Sequence, residues 1–179
     1  LAQLIADSGQ KLIAVAGTHG KTTTTGMFVW VFQQLGIPVS YSVGSQLSFG
    51  PSGKFDPNAE YFVYECDEFD RNFLQFHPYL SVIVSIDYDH PDTYPTEEEY
   101  KSAFRQFIRQ SDASILWQPD ADYIQTRDHV AWCLQPDEIL DINLPGQHNR
   151  RNATLVMKAF ERMKVGENKE LRQAIDNFP

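Results

Sequence analysis

The sequence predicts an α/β domain with a mostly parallel sheet and helices on both faces. Short apolar runs alternate with helical patterns along the 179 residues, and the first run leads through a glycine loop directly into a helix. This alternation is typical of a parallel sheet covered on both faces. Ligands of such sheets bind beyond the carboxyl ends of the strands. The predicted strands are residues 11–16, 39–43, 61–64, 79–86, 114–117 and 130–134.

The clearest predicted helix spans residues 96–110. Pro95 precedes it, and Thr96 with Glu99 has the spacing of a capping box. One face is apolar and is predicted to be core, with Tyr100, Phe104, Phe107 and Ile108. Residues 45–58 are rich in glycine and proline, so we expect a mobile loop at the edge of the sheet that carries the glycine loop.

Composition limits the possible partners and compartment. The net charge of −9 argues against a nucleic-acid or anionic-membrane surface. No apolar stretch approaches the ~20 residues needed to cross a bilayer, and the start lacks the basic residues of a signal peptide. Cys66 and Cys133 are not in a metal or redox spacing, which predicts buried free thiols in a reducing compartment. We therefore expect a cytoplasmic protein.

The glycine loop is the strongest candidate site. It follows the first apolar run and reads Gly17-Thr18-His19-Gly20-Lys21-Thr22-Thr23. Lys21 would lie along the β and γ phosphates of a nucleotide, and the Thr22 hydroxyl would face Mg²⁺. Val15 occupies the place of the usual first glycine, so the loop is a shortened form. A simple glycine turn would not require Lys and then Thr at these positions.

An acidic run follows the strand at residues 61–64. It reads Glu65-Cys66-Asp67-Glu68-Phe69-Asp70. Glu65 directly follows the apolar run and is the best candidate ligand for Mg²⁺, which prefers carboxylate oxygen. The other three carboxylates are weaker candidates. The alternative is a solvated acidic loop.

His90 lies among Asp87, Asp89 and Asp92, directly after the next predicted strand. It is a candidate metal ligand, and the alternative is a structural histidine. His77 and His129 have no such acidic surroundings and are interpreted as structural.

The fourth candidate segment, residues 144–152, is predicted to be a turn that leads into a helix at residues 153–160. Asn149 and Asn152 would share one helical face. Carboxamides both donate and accept, which suits the amino group and ring nitrogens of adenine. Helix capping by His148 or Asn149 is the alternative.

Together these four motifs resemble the Mur ligase family in content and in order. The threonine-rich glycine loop and Asp92-Thr93-Tyr94 after His90 are most similar to the branch that adds L-alanine to UDP-N-acetylmuramate. The resemblance implies that residues 17–23 bind ATP phosphates. It also implies that Thr22 and Glu65 hold one Mg²⁺ and that His90 helps to hold a second. Lys21, Glu65 and His90 would be catalytic. His148, Asn149 and Asn152 would bind the nucleotide, with Asn149 and Asn152 facing adenine.

The implied reaction transfers the γ-phosphoryl group of ATP to a substrate carboxylate, and an amine then forms an amide. Some branches of the family carry a carbamylated lysine on the helix after the Asp-His motif. Phe104 and Arg105 stand near its place here, which agrees with the alanine-adding branch. Members also carry a uridine-nucleotide domain before this one and an amino-acid domain after it. We expect the chain to be a single central domain that binds Mg-ATP weakly and does not ligate alone.

Three alternatives remain open at this point. A murein-tripeptide recycling ligase has similar motifs. A GTPase-type switch also uses Lys and Thr in a phosphate loop, but its guanine-reading Asn-Lys-x-Asp segment is not found. A nucleotide-binding module without catalysis would keep the fold and lose the metal ligands. The stretch between Asp92 and Leu144 is shorter than in typical members.

Overall fold

A computed structural model describes residues 1–89 and 91–179 of the chain. Within those residues one seven-stranded sheet has the order β3-β2-β4-β1-β5-β6-β7. Every strand pairing is parallel except that of β3 with β2. The strands are β1 (Lys11–Ala16), β2 (Val39–Ser42), β3 (Gly53–Lys54), β4 (Tyr61–Glu65), β5 (Leu80–Ile83), β6 (Ser114–Trp117) and β7 (Ala131–Leu134).

Helices cover both faces of this sheet, as predicted. They are α1 (Ala2–Ser8), α2 (Lys21–Gln34), α3 (Glu97–Arg109), α4 (Gln118–Tyr123), α5 (Gln147–Met163) and α6 (Asn168–Asp176). The helices α2, α5 and α6 pack in one apolar core, and α1, α3 and α4 pack in the other. Two 3₁₀ segments, Phe69–Gln75 and Pro136–Glu138, complete the described elements.

The central strand β1 organises the functional edge. It lies between β4 and β5, with Ile13 opposite Val63 on one side and Leu80 on the other. Leu12 to Ala16 are buried because helices cover both faces, which explains the unbroken apolar run. The glycine loop therefore leaves the sheet at its centre.

The six predicted strands are confirmed, five of them within one residue of their predicted bounds, whereas β3 was not predicted. β5 ends at Ile83 rather than Ile86, because the following backbone turns to the glycine loop. The Val84 N–H donates to the Ala16 carbonyl at 3.0 Å, and the Thr18 N–H donates to the Ser85 carbonyl at 3.0 Å.

The segment at residues 45–58 is more regular than predicted. It contains β3, which pairs with β2 at Tyr41 and Ser42. Phe49 packs against Trp30 and Phe178, with ring centroids 5.1 and 6.1 Å apart. These aromatic contacts tie Phe49 to the core, and apart from β3 the segment is a loop, as expected; its mobility stays a prediction.

The helix predicted at residues 96–110 is α3. Its predicted apolar stripe is fully buried, and Thr96 caps it by accepting a hydrogen bond from the Glu99 N–H at 3.2 Å. The second half of the predicted capping box is absent from the described residues. The Glu99 carboxylate instead accepts a hydrogen bond from Arg71 at 2.9 Å.

Helix α5 begins at Gln147, so the predicted turn at residues 144–152 is wrong in its second half. Gly146 precedes the helix with φ of 82°, and the Asn149 side chain donates to the Pro145 carbonyl at 2.9 Å. The chain reversal is therefore complete at Gly146, six residues before the predicted end of the turn. His148, Asn149 and Asn152 therefore lie within the first two turns of a helix.

Both cysteines are free: Cys66 is buried, and Cys133 is only half-buried. Burial also raises the pKa of the Cys66 thiol.

His77 and His129 precede β5 and β7, at the opposite edge from the glycine loop, and both are exposed rather than packed. Among the described residues, no helix has the length and apolar character required to cross a membrane.

Candidate nucleotide-binding site

The candidate residues gather at the carboxyl edge of the sheet. The glycine loop follows β1, Glu65 ends β4, Gly44 follows β2, and Asp120 lies just beyond β6. Parallel strands bring these ends to one edge, because all of them point in the same direction. His90 lies outside the described residues, so its proposed metal role stays a prediction from the sequence.

Two glycines shape the loop. A Cβ on Gly17 would lie 2.5 Å from the Ser85 carbonyl oxygen, and φ at Gly17 is 126°. Gly20 precedes α2 with φ of 90° and provides no capping side chain. The first turn of α2 thus presents uncapped N–H groups and a positive dipole end toward the loop, which favours an anion there.

Thr18 ties the loop to the segment after β5. Its hydroxyl donates to the Asp87 carbonyl at 2.9 Å and accepts from the Asp87 N–H at 2.9 Å. The Tyr100 hydroxyl is also 2.9 Å away. Because Thr18 has a single hydroxyl proton, Tyr100 is the donor in that contact. Three hydrogen bonds thus hold one threonine side chain, which fixes the loop.

Lys21 turns back toward its own loop. Its ammonium donates to the Gly17 carbonyl at 2.6 Å and to the Glu68 carboxylate at 2.9 Å. The Lys21 side chain is 15% exposed, and that of Glu68 is fully buried. Burial raises the pKa of Glu68, and the Lys21 charge opposes part of that rise. Glu68, a weaker candidate for metal binding, therefore holds Lys21 instead.

Thr22 and Glu65 meet as the metal prediction requires. The Thr22 hydroxyl donates to one Glu65 carboxylate oxygen at 2.8 Å, and the Gly44 N–H donates to the other at 2.7 Å. Asp67 and Asp70 are exposed. Among the described residues, no three His, Cys, Asp or Glu side chains group as a metal site. A hydroxyl and one carboxylate still fit Mg²⁺, which keeps several waters and binds substrate phosphates.

A cavity of about 400 Å³ lies beside the loop. A nucleoside binds in clefts of this size. His148 and Asn152 line it, whereas Asn149 is not among the described lining residues. The Asn152 amide approaches the loop so closely that a Cβ on Gly20 would lie 2.9 Å from its nitrogen. The full lining comprises His19, Gly20, Val84, Ser85, Asp87, Asp120, Gln147, His148, Arg151 and Asn152.

Asp120 and Arg151 were missed in the sequence. The Arg151 guanidinium lies 4.5 Å from the centroid of the Trp117 ring. Asp120 accepts from the Ile86 N–H at 3.0 Å, and burial raises the pKa of its carboxyl group to about 6. Asp120 lies just beyond the carboxyl end of β6, as Glu65 lies at that of β4, so the rule that selected Glu65 points to Asp120 as well.

Comparisons with known proteins identify the family of this chain. The family profile described as the Mur ligase middle domain matches residues 15–133. The UDP-N-acetylmuramate–L-alanine ligase of Salinispora arenicola is 45% identical over 105 residues, which cover 59% of this chain and 20% of that protein. The ligase of the same name from Streptococcus suis is 30% identical over 175 residues, which cover 81% of this chain and 38% of that protein.

Solved structures share the fold. The UDP-N-acetylmuramate–alanine ligase of Thermotoga maritima has a TM-score of 0.84 at 22% identity, covering 99% of this chain and 47% of that chain. The UDP-N-acetylmuramate:L-alanyl-γ-D-glutamyl-meso-diaminopimelate ligase of Neisseria meningitides has a TM-score of 0.81 at 23% identity, covering 99% and 70%.

The chain therefore spans well under half of each sequence relative named above. The middle-domain profile, in contrast, covers well over half of the chain itself and includes the glycine loop, Glu65 and Asp120. The predicted resemblance is confirmed, and the chain belongs to the Mur ligase family.

Proposed function

We propose that the chain is the central ATP-binding domain of an ATP-dependent amide ligase of peptidoglycan precursor synthesis. The observation that carries this proposal is the pairing of Thr22 with Glu65 at 2.8 Å, directly beside Lys21. A hydroxyl, a carboxylate and an ammonium at the start of one helix form a site for a metal-bound polyphosphate. The acceptor and amino acid would be UDP-N-acetylmuramate and L-alanine, in the cytoplasm.

In this proposal, each group of site residues has a separate role in binding or catalysis. Residues 17–23 would bind the phosphates, Thr22 and Glu65 would hold one Mg²⁺, and His90 would help to hold a second. Lys21 and the metals would stabilise charge on the transferring group. His148, Asn149 and Asn152 would bind the nucleotide, with Asn149 and Asn152 facing adenine. When bound, Mg-ATP would supply the phosphoryl group that activates the substrate carboxylate as an acyl phosphate for attack by the amine.

Lys21 must change partners in this scheme. In the structure its ammonium contacts Glu68 and the Gly17 carbonyl. Nucleotide phosphates would attract the same ammonium, so Glu68 would keep it near the loop until they arrive. Residues before and after the described chain would have to bring the uridine nucleotide and the amino acid. We therefore expect the chain alone to form no amide product.

The direct test is calorimetry with ATP and GTP, each with and without Mg²⁺. We expect magnesium-dependent binding that favours ATP and is lost in Lys21→Ala and Glu65→Ala. Lys169→Ala, an exposed change on α6, is the matched control and should bind like the unchanged chain. Asn149→Ala tests the adenine assignment through the ratio of ATP to GTP affinity.

Two results would count against the proposal. Binding that is indifferent to Lys21 and Glu65 would leave a module without the ligase site, and preference for GTP would favour a GTPase-type switch. The murein-tripeptide ligase alternative rests on the similar motifs in the sequence. Amide synthesis by the longer protein with L-alanine or with the tripeptide separates the two ligase assignments.

A further inference from the structure

We propose that the Asp120 carboxylate accepts a hydrogen bond from the nucleoside of bound ATP and thereby contributes to nucleotide selection. The donor would be either the 6-amino group of the purine or a ribose hydroxyl, since both are N–H or O–H groups of the same ligand. This inference rests on the proposed function, because it places ATP in the cavity that Asp120 lines.

The first argument is position. Asp120 follows β6, which is separated from β1 by β5 alone. Two strand spacings amount to about 10 Å along the edge of the sheet. A nucleotide whose phosphates bind at the β1 loop would extend its nucleoside over that distance. Residues from both places line the same cavity, His19 and Gly20 from the loop and Asp120 from beyond β6.

The second argument is an unused acceptor. One Asp120 oxygen accepts from the Ile86 N–H at 3.0 Å. The other is buried and has no hydrogen-bond partner among the described residues. A buried acceptor without a donor is unfavourable, so an incoming N–H or O–H group would be stabilised there. Carboxylates accept such hydrogen bonds more strongly than neutral oxygens do.

The third argument is charge. Two charged groups act on Asp120: Arg151 favours its ionised form, and Asp87 opposes it. A carboxylate at the phosphate end of the site would repel a nucleotide. At the nucleoside end it faces only neutral donors, and Arg151 offsets part of its charge. The acidic side chain therefore suits the base or the sugar rather than the phosphates.

The experiment measures affinity, not ligation. Mg-ATP, the triphosphate of purine riboside, which lacks the 6-amino group, and 2′-deoxy-ATP and 3′-deoxy-ATP are titrated into the purified chain. The same titrations use Asp120→Asn, which keeps the acceptor for Ile86 and replaces the free oxygen by an amide N–H. Asp122→Asn is the control, since Asp122 lies on the same helix and accepts from Gln118 at 2.7 Å, outside the cavity.

We expect Asp120→Asn to weaken Mg-ATP binding roughly tenfold or more, as for a charge-assisted hydrogen bond. If the donor is the 6-amino group, purine riboside triphosphate should bind the unchanged chain and the variant equally weakly. If the donor is a ribose hydroxyl, 2′-deoxy-ATP or 3′-deoxy-ATP should instead bind the unchanged chain and the variant equally weakly. Asp122→Asn should leave the affinity for all four nucleotides unchanged.

Two outcomes overturn the inference. Unchanged Mg-ATP affinity in Asp120→Asn is one. The other is an equal loss for all four nucleotides, which would indicate a general structural effect. Neither touches the proposed function, which depends on binding by the unchanged chain and on Lys21. If the unchanged chain binds no nucleotide, the proposed function and this inference fail together.

Discussion

Lys21 and Glu68 form a largely buried ion pair at 2.9 Å, between the first helical residue after the glycine loop and the acidic segment after β4. The Gly17 carbonyl accepts a second hydrogen bond from the same ammonium, at 2.6 Å. Lys21 is therefore a structural residue as well as a proposed phosphate ligand. Its removal affects folding and binding, which can be measured separately.

Lys21→Met should lower the free energy of unfolding by about 3 kcal/mol at pH 7, because a buried carboxylate loses its cation. Burial already raises the pKa of Glu68. The penalty should shrink as the pH falls through that pKa, where the carboxyl group becomes neutral. Urea unfolding at several pH values measures it.

The double variant Lys21→Met with Glu68→Gln is the control for that prediction. It removes both charges, so most of the stability at pH 7 should return while nucleotide binding stays lost. A loss of stability that is the same at every pH, or that persists in the double variant, would contradict the assignment to an ion pair.

Gly44→Ala should weaken the magnesium-dependent part of ATP binding severalfold. A Cβ there would lie 2.8 Å from a Glu65 oxygen, so the carboxylate must move away from Thr22. Calorimetry with and without Mg²⁺ measures the effect. Gly50→Ala is the matched control, since its Cβ would lie 3.4 Å from the Tyr41 hydroxyl. If Gly44→Ala and Gly50→Ala bind Mg-ATP with equal affinity, binding does not depend on the position of the Glu65 carboxylate, and the prediction is wrong.

Tyr100→Phe should lower stability by about 1 kcal/mol and weaken Mg-ATP binding a fewfold, because Thr18 loses one hydrogen bond that fixes the loop. The ring itself would stay packed, since Tyr100 is fully buried on α3. Urea unfolding and calorimetry check the two parts. Tyr79→Phe, at the opposite edge of the sheet, should leave binding unchanged.

Asp120→Asn should stabilise the nucleotide-free chain at pH 7. Burial raises the pKa of Asp120 from 3.8 to about 6, so folding disfavours the ionised form. Its contribution to stability is present below pH 3.8 and is lost as the pH rises through about 6. The gain in the variant is about 1 to 3 kcal/mol at pH 7. Thermal unfolding between pH 4 and pH 8 should show this gain in stability above pH 6. The prediction would be refuted if Asp120→Asn and the unchanged chain had the same dependence of stability on pH.

The sequence predicts the parts of the site that follow from local pattern. Lys21, Thr22 and Glu65 lie next to apolar strands, and a parallel sheet brings strand ends together. The contact between Thr22 and Glu65 at 2.8 Å depends on the order of the strands, which cannot be read from any local pattern. The same holds for the contact between Thr18 and Tyr100. In the sequence, Tyr100 could not be distinguished from the other aromatic core residues of its helix, so the role of its hydroxyl group was not predicted.

The start of α5 illustrates what local pattern cannot resolve. Gly146 and the polar residues after it are typical of a turn, and propensity alone favours a loop there. Packing decides otherwise: Asn152 and Ala153 are buried, so the helix extends back to Gln147. Asp120 was missed for a related reason, since its contact with the Ile86 N–H, just after β5, depends on the order of the strands in the sheet.

The position of β1 in the sheet has a consequence for folding. Ile13 pairs with Val63 and Leu80, which are far along the chain, so the central strand finds its neighbours only after long loops have closed. Such non-local pairing predicts slow folding. The residues of the site come from the ends of those same strands. A partly folded chain therefore has no nucleotide site, and any ligand that binds there acts only on the completed sheet.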